Sequence, residues 1–302
     1  MLYVGCSNVD YWFRRMLTSA ERGDSSQYMN TFIVLATDRY DVSRQSIPNP
    51  DKFEDPVART TVTSFRVIDA MAGRESVGVS ELADELSLQS GTIHKHLTTL
   101  ERLGYVVKEN RRYRLSVRFM ELGGGVRARM RLYKVAHKPL KKLAEATGKV
   151  ASIMIKEGNR GVYLVRIRDE VEPKTELFEG EHVPLPATAG GKAILAYLPE
   201  EKREAILDNY EMTDYTENTI TDKDALRNEL QSVRDDRLAH DMGEFNPERH
   251  CIAGPITDAD RNAIGAVTIS GPADRMRAES SEYDYPSIVG STASSIRGKV
   301  IQ

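Results

Sequence analysis

The chain has 302 residues, of which 40% are hydrophobic and 29% charged, with a formal net charge of -3. That length is enough for two domains, and the two cysteines, Cys6 and Cys251, show neither metal-ligand spacing nor a disulfide framework. No apolar run reaches membrane-spanning length and the N-terminus lacks a secretory pattern, so the expected location is the cytoplasm, with no membrane partner.

Charge is divided by region. Residues 59–142 carry 17 Lys+Arg against 8 Asp+Glu, a net of +9, whereas residues 143–302 carry 19 against 29, a net of -10. A basic block beside an acidic remainder is the footprint of a chain that meets nucleic acid at one end.

Residues 1–58 read as a disordered arm of uncertain status, with Met29 as another candidate start. The arm holds the only tryptophan, Trp12; Thr31-Phe32-Ile33-Val34-Leu35 is compatible with a short strand, and 46–51 reads as a loop. From about Thr60 a helix is expected, with Phe65, Ile68 and Ala72 (Met71 adjacent) on its apolar face and Gly73 closing it. A second helix starts near Val79, with Ser80 as N-cap, Glu81 in the first turn and Leu82, Ala83 and Leu86 on one face. Ser87 to Gly91 interrupts the pattern, and Ser90 caps a third helix running to about Arg102.

In that third helix Ile93, Leu97 and Leu100 share a narrow arc. Gly91, Lys95, Thr98 and Arg102 fall opposite, with His94 and Thr99 beside them. An outward face of hydrogen-bond donors without a large apolar residue suits phosphates and base edges. Gly104 ends the helix. Short strands at Tyr105-Val106-Val107 and Tyr113-Arg114-Leu115 flank a basic turn from Glu109 to Arg112. A helix-turn-helix with such a hairpin is a winged helix, which binds double-stranded DNA with its second helix in the major groove and its wing along the backbone. Ser90, Thr92, Lys95 and Thr98, with His94 beside them, are therefore expected at base edges, and Arg102, Arg111, Arg112 and Arg114 on phosphates.

Gly123-Gly124-Gly125 reads as a flexible joint before a helical stretch with Val126, Met130 and Tyr133 as apolar positions and Arg127, Arg129, Arg131 and Lys134 as charges. Beyond it, Val150 to Ile155 and Val162 to Ile167 are strand-like around a hairpin loop. Ala189 to Leu198, Glu200 to Tyr210 and Asp222 to His240 are helical; Cys251 to Ile256 and Ala263 to Ser270 are strands; Tyr283 to Val300 closes the chain as a helix. The result is an α+β domain with antiparallel pairings, large enough for a small-molecule pocket.

Three stretches, GTIHKHLTTLERLGYV at 91–106, VPLPATAGGKAILAYL at 183–198 and HCIAGPITDADRNAIGAVTISGPADR at 250–275, resemble the IclR-type transcriptional regulators, and the resemblance spans about Thr60 to Val300. It implies a winged helix-turn-helix domain over 59–118, a linker helix over 119–142 and a GAF-like α/β effector-binding and oligomerisation domain over 143–302. It further implies a homodimer or dimer of dimers on a pseudo-palindromic operator, and a small organic anion or related metabolite as effector. The matching pocket positions are Thr188, Ala189, Gly190, Asp241, Cys251, Thr268 and Ser270. Backbone N–H groups at the start of the Ala189 helix favour an anion, and Thr268 and Ser270, two apart on a strand, point the same way. Thr268 stands where the family often has Ser.

Catalysis is weighed against this reading. His250 next to Cys251 suggests a Cys–His nucleophile, but neighbours on a strand face opposite sides. Gly190-Gly191-Lys192 fails the P-loop pattern, since Ala193 stands in place of Ser/Thr. His94 and His96 face different sides of one helix. No catalytic residue, metal ligand or cofactor is therefore expected. The competing reading is a small-molecule sensor or Cys-dependent hydrolase whose winged helix serves protein interaction; a third is an architectural DNA binder without ligand.

Overall fold

The computed structural model describes residues 47, 50–53, 57–168 and 178–302, so the expectations for the arm, Trp12 and the 31–35 strand included, lie outside the described residues. Its first helices are α1 (Arg59–Met71), α2 (Val79–Leu86) and α3 (Ser90–Arg102), followed by a hairpin of β1 (Val106–Glu109) and β2 (Arg112–Leu115). Ile93, Leu97 and Leu100 of α3 are buried against Leu82 and Ala83 of α2, Val67 and Met71 of α1, and Val106 and Tyr113 of the hairpin. In α1 the buried arc is Val67 and Met71, while Phe65, expected in the core, is 53% exposed. The two arcs are neighbours on the helix, and the one that meets α2 and α3 wins.

Helix starts differ from the capping expectations. Gly78 and Gln89 are the extended residues before α2 and α3, and neither helix has a side-chain cap bond, so Ser80 and Ser90 lie inside their helices. Gly104 takes the left-handed conformation (φ 78°) that ends α3. The wing turn is tighter than expected: Asn110 and Arg111 are both left-handed (φ 48° and 69°), a two-residue turn of type I′ that closes Glu109 onto Arg112. Val77 and Tyr113 exchange backbone hydrogen bonds at 2.8 and 2.9 Å and tie the hairpin to the segment before α2.

The expected linker helix is two helices. α4 (Arg118–Arg129) runs straight through Gly123-Gly124-Gly125, and the break falls at Met130, whose extended ψ of 121° separates it from α5 (Arg131–Thr147). The glycines are helical because nothing in the run forbids it, although each costs about 1 kcal/mol relative to alanine. α4 buries none of its residues, whereas α5 buries Leu132, Ala136, Leu140 and Leu143 and belongs to the core of the following domain.

That domain is a six-stranded antiparallel sheet in the order β5-β4-β3-β8-β7-β6, built from β3 (Val150–Glu157), β4 (Arg160–Ile167), β5 (His182–Pro184), β6 (Ala239–Met242), β7 (Arg249–Thr257) and β8 (Ala263–Pro272). Strand alternation divides it into two faces. Ala151, Ile153, Ile252, Ile256, Val267 and Ile269 pack under α5 and the C-terminal α10 (Tyr285–Ile301). Met154, Tyr163, Ala253 and Ala266 pack on the other side with α6 (Ala189–Ala196), α7 (Glu200–Asn209) and α8 (Lys223–Asp236); a short α9 (Ala273–Ala278) follows β8. Helices on both faces of an antiparallel sheet match the expected α+β class. His240, expected at a helix end, lies instead on edge strand β6, because Arg237 takes a left-handed φ of 58° and stops α8.

Candidate DNA-binding face and effector pocket

With Ile93, Leu97 and Leu100 turned inward, α3 presents exposed Ser90, His94, Lys95 and Arg102, with Thr92 and Thr98 half-buried along the same face. His96 turns the other way: its Nδ1 lies 2.8 Å from Ser64 Oγ, and burial holds its pKa below the ordinary value. On the wing Arg111 stands exposed at the turn tip. Arg112 and Arg114, both expected on phosphates, are engaged within the domain. Arg112 Nη1 donates to Glu81 Oε1 at 2.6 Å and its Nε to Ser76 Oγ at 2.9 Å, which clamps the wing to α2 and holds the Glu81 carboxyl below its ordinary pKa. Arg114 Nη2 donates to Glu109 Oε1 at 2.7 Å across the hairpin.

In the second domain the expected pocket residues converge on the sheet face under α6. Registry places Asp241, Cys251 and Ser270 side by side on β6, β7 and β8, and Thr268 next to Ser152 of β3. Asp241 is buried, and Glu244 N donates to its Oδ1 at 2.7 Å; burial pushes its pKa up to about 7. Burial, then the Asp241 charge, push the Cys251 thiol up to about 12, so it is protonated and unlike an activated nucleophile. Ser270 Oγ accepts from Arg249 Nε at 3.0 Å. Thr188 caps α6: its hydroxyl donates to Pro184 O at 2.7 Å and accepts from Gly191 N at 3.3 Å, leaving it little to offer a ligand. At Gly190 a Cβ would stand 2.9 Å from both Met154 Sδ and Thr268 Cγ2, so the first turn of α6 lies directly on the sheet.

Residues 125–297 match the family described as "Bacterial transcriptional regulator IclR C-terminal", and residues 63–110 match "IclR helix-turn-helix domain". The chain belongs to the IclR family of transcriptional regulators. Similar relatives are XynR of Escherichia coli (26% identical; 73% of this chain, 89% of the relative) and KdgR of the same organism (28%; 76% and 88%), both described as HTH-type transcriptional regulators. Among solved structures, Thermotoga maritima IclR is 29% identical with a TM-score of 0.67 over 80% of this chain and 98% of that one. An IclR homolog from Microbacterium hydrocarbonoxydans, complexed with 4-hydroxybenzoate, shares the fold at 20% identity and a TM-score of 0.68, covering 80% and 98%. Membership makes this IclR regulator a DNA-binding protein with an effector domain. Among the described residues no helix is long and apolar enough to cross a membrane.

Lys192 of this IclR regulator is fully buried, with its Nζ 2.6 Å from Glu244 Oε1 and 2.9 Å from Glu229 Oε1. The cation of the Gly-Gly-Lys motif thus ties α6 to α8 and to the turn after β6. The same sheet face also carries Ser152, Tyr163, Arg166 and Arg249, which the sequence alone does not single out. Their common face becomes visible only through cross-strand register, and the period-two pattern within β3 was the one available sign for Ser152.

Proposed function

We propose that this regulator binds a pseudo-palindromic operator as a homodimer or dimer of dimers, and that a small organic anion or related metabolite held under α6 sets its occupancy. The domain division at 59–118, 119–142 and 143–302 goes with this reading. The observation that carries it is the α3 face, where Ser90, Thr92, His94, Lys95 and Thr98 are displayed for base edges over a rigid packed stripe. Arg102 and Arg111 serve phosphates, while Arg112 and Arg114 hold the wing in place for them.

Assembly is supported by apolar side chains with high exposure: Val117 at 74%, Met120 at 77%, Leu122 at 50% and Val126 at 61% on or beside α4. A second copy would cover them. The effector acts by linkage: a ligand that binds one arrangement of the dimer better than another changes operator affinity by that difference. The complex of the Microbacterium homolog with 4-hydroxybenzoate makes aromatic and hydroxylated acids the first class to screen.

The test is fluorescence anisotropy on a labelled duplex from the upstream region of the gene, beside a shuffled duplex and a salt series. The reading expects tight, salt-steep binding that prefers the upstream duplex and shifts with a metabolite. Absence of binding at low salt would count against it.

A further inference from the structure

The sheet face under α6 holds two buried donor atoms without a hydrogen-bond partner, Ser152 Oγ and Arg166 Nε. Cross-strand register sets Arg166 of β4 opposite Ser152 of β3, and Ser152 opposite Thr268 of β8, so all three side chains share the pocket face. Ser152 is fully buried and its Oγ has no hydrogen-bond partner; Arg166 Nε is buried without one as well. Orphaned buried donors are costly and rare unless a site awaits an occupant. The Arg166 guanidinium lies 4.2 Å from the centre of the Tyr163 ring, which fixes its plane. Among the described residues no carboxylate lies within ion-pair distance of it; Glu179 accepts from the Arg166 backbone N at 3.1 Å and also pairs with Arg127.

We infer that Arg166 and Ser152 anchor the carboxylate of the effector, with Tyr163 flanking it. This rests on the effector reading above and names its chemical class: a small carboxylic acid, whose planar anion fits a guanidinium fork. The acid end sits at β4 and β3, not at the start of α6, where Thr188 is already committed to backbone and Gly190 is pressed on Met154 and Thr268. The remainder of the ligand points along the sheet toward Ser270, Cys251 and Asp241. Those residues lie on β8, β7 and β6, about 5, 10 and 14 Å from β3 at about 4.8 Å per strand, a span suited to a compact metabolite.

The test uses acetate, propionate and butyrate at tens of millimolar, with acetamide, propionamide and butyramide as uncharged controls and ionic strength matched with chloride. Thermal melting of the full chain is the readout, since a ligand of the folded state raises the melting temperature. The acids are expected to raise it and the amides not. Arg166→Met should abolish the rise and Ser152→Ala should diminish it. Should Arg166→Met fail to fold, Arg166→Lys keeps the charge and must still weaken the response, because an ammonium cannot hold both oxygens from one plane. An equal rise in wild type and Arg166→Met, or no rise with any acid, would overturn the anchor. A metabolite library separates the two readings. An uncharged metabolite that stabilises wild type and Arg166→Met alike, but not Ser270→Ala, keeps the effector pocket and removes the anchor; no response to any metabolite removes both.

Discussion

Replacing Lys192 with Met should expose how strongly the packing of α6 against α8 depends on one buried cation. Lys192 is 1% exposed and bridges Glu244, 9% exposed, and Glu229, 31% exposed. Removing one partner of a buried pair typically costs about 3–5 kcal/mol, because the other charge stays behind without compensation. Here that charge is Glu244, whose Oε2 already lacks a partner. For a protein of this size each kcal/mol lowers the melting temperature by about 2–4 °C, so K192M should melt roughly 10 °C below wild type at neutral pH or above. Burial already raises the Glu244 pKa from its ordinary 4.5, against the lowering effect of Lys192, and loss of the lysine raises it further. A carboxyl with a raised folded pKa costs nothing below its ordinary value and more as pH climbs through the folded one. The gap between K192M and wild type should therefore close as pH falls toward 4.5, and Glu244→Gln added to K192M should recover much of it at high pH. Circular-dichroism melts across pH measure both. A gap under about 2 °C at neutral pH, or one that widens in acid, would refute the reasoning.

On the DNA side, Arg111→Ala should weaken binding to upstream and shuffled duplexes alike and reduce the log–log salt slope by about 0.9, whereas Lys95→Ala should change sequence preference; anisotropy titrations at several salt concentrations separate the two. Cys251, with its thiol pushed up to about 12, leaves roughly one thiolate in ten thousand at pH 8, so peptide-level mass spectrometry should find iodoacetamide labelling of the native protein far slower than after unfolding. Comparable labelling rates would revive the nucleophile reading. Asp241→Asn keeps an oxygen for the Glu244 N–H but removes a carboxyl whose pKa burial raises from 3.8 to about 7. The stability linked to the Asp241 proton is fully present below 3.8 and is lost as pH passes through about 7, so melts between about pH 4 and pH 8 should show D241N gaining on wild type as pH rises.

What could be read from the sequence follows from range. The α3 stripe was legible because Ile93, Leu97 and Leu100 and the helix they define are local, and Gly104 marks its end in a single residue. The α1 face was not, since only contact with α2 and α3 decides between the Phe65 arc and the Val67–Met71 arc. Arg112 looked like Arg111 from composition; its clamp partner Glu81 lies 31 positions away. The glycine run suggested a joint, but the break sits at Met130, where composition offers no mark. His240 reads as helical from the sequence because a left-handed arginine at 237 is not a stop that spacing reveals. For the candidate effector face, family-like motifs pointed to Asp241, Cys251, Thr268 and Ser270, while the register that sets Arg166 and Ser152 on the same sheet face is not local and shows only in the fold.

Between the C-terminal sheet and the recognition helix the chain passes through α4, which has three successive glycines, no buried residue and an ion pair from Arg127 to Glu179. Springs joined in series share one force, and the softest takes nearly all the displacement. In an isolated chain, motion begun at the pocket would be spent bending or unwinding α4, at a cost of about 3 kcal/mol less than an alanine rod would demand. A neighbouring helix resting on Val117, Met120, Leu122 and Val126 would brace that spring. Stiffness, and with it the reach of any signal, then becomes a property of the assembly and not of the single polypeptide.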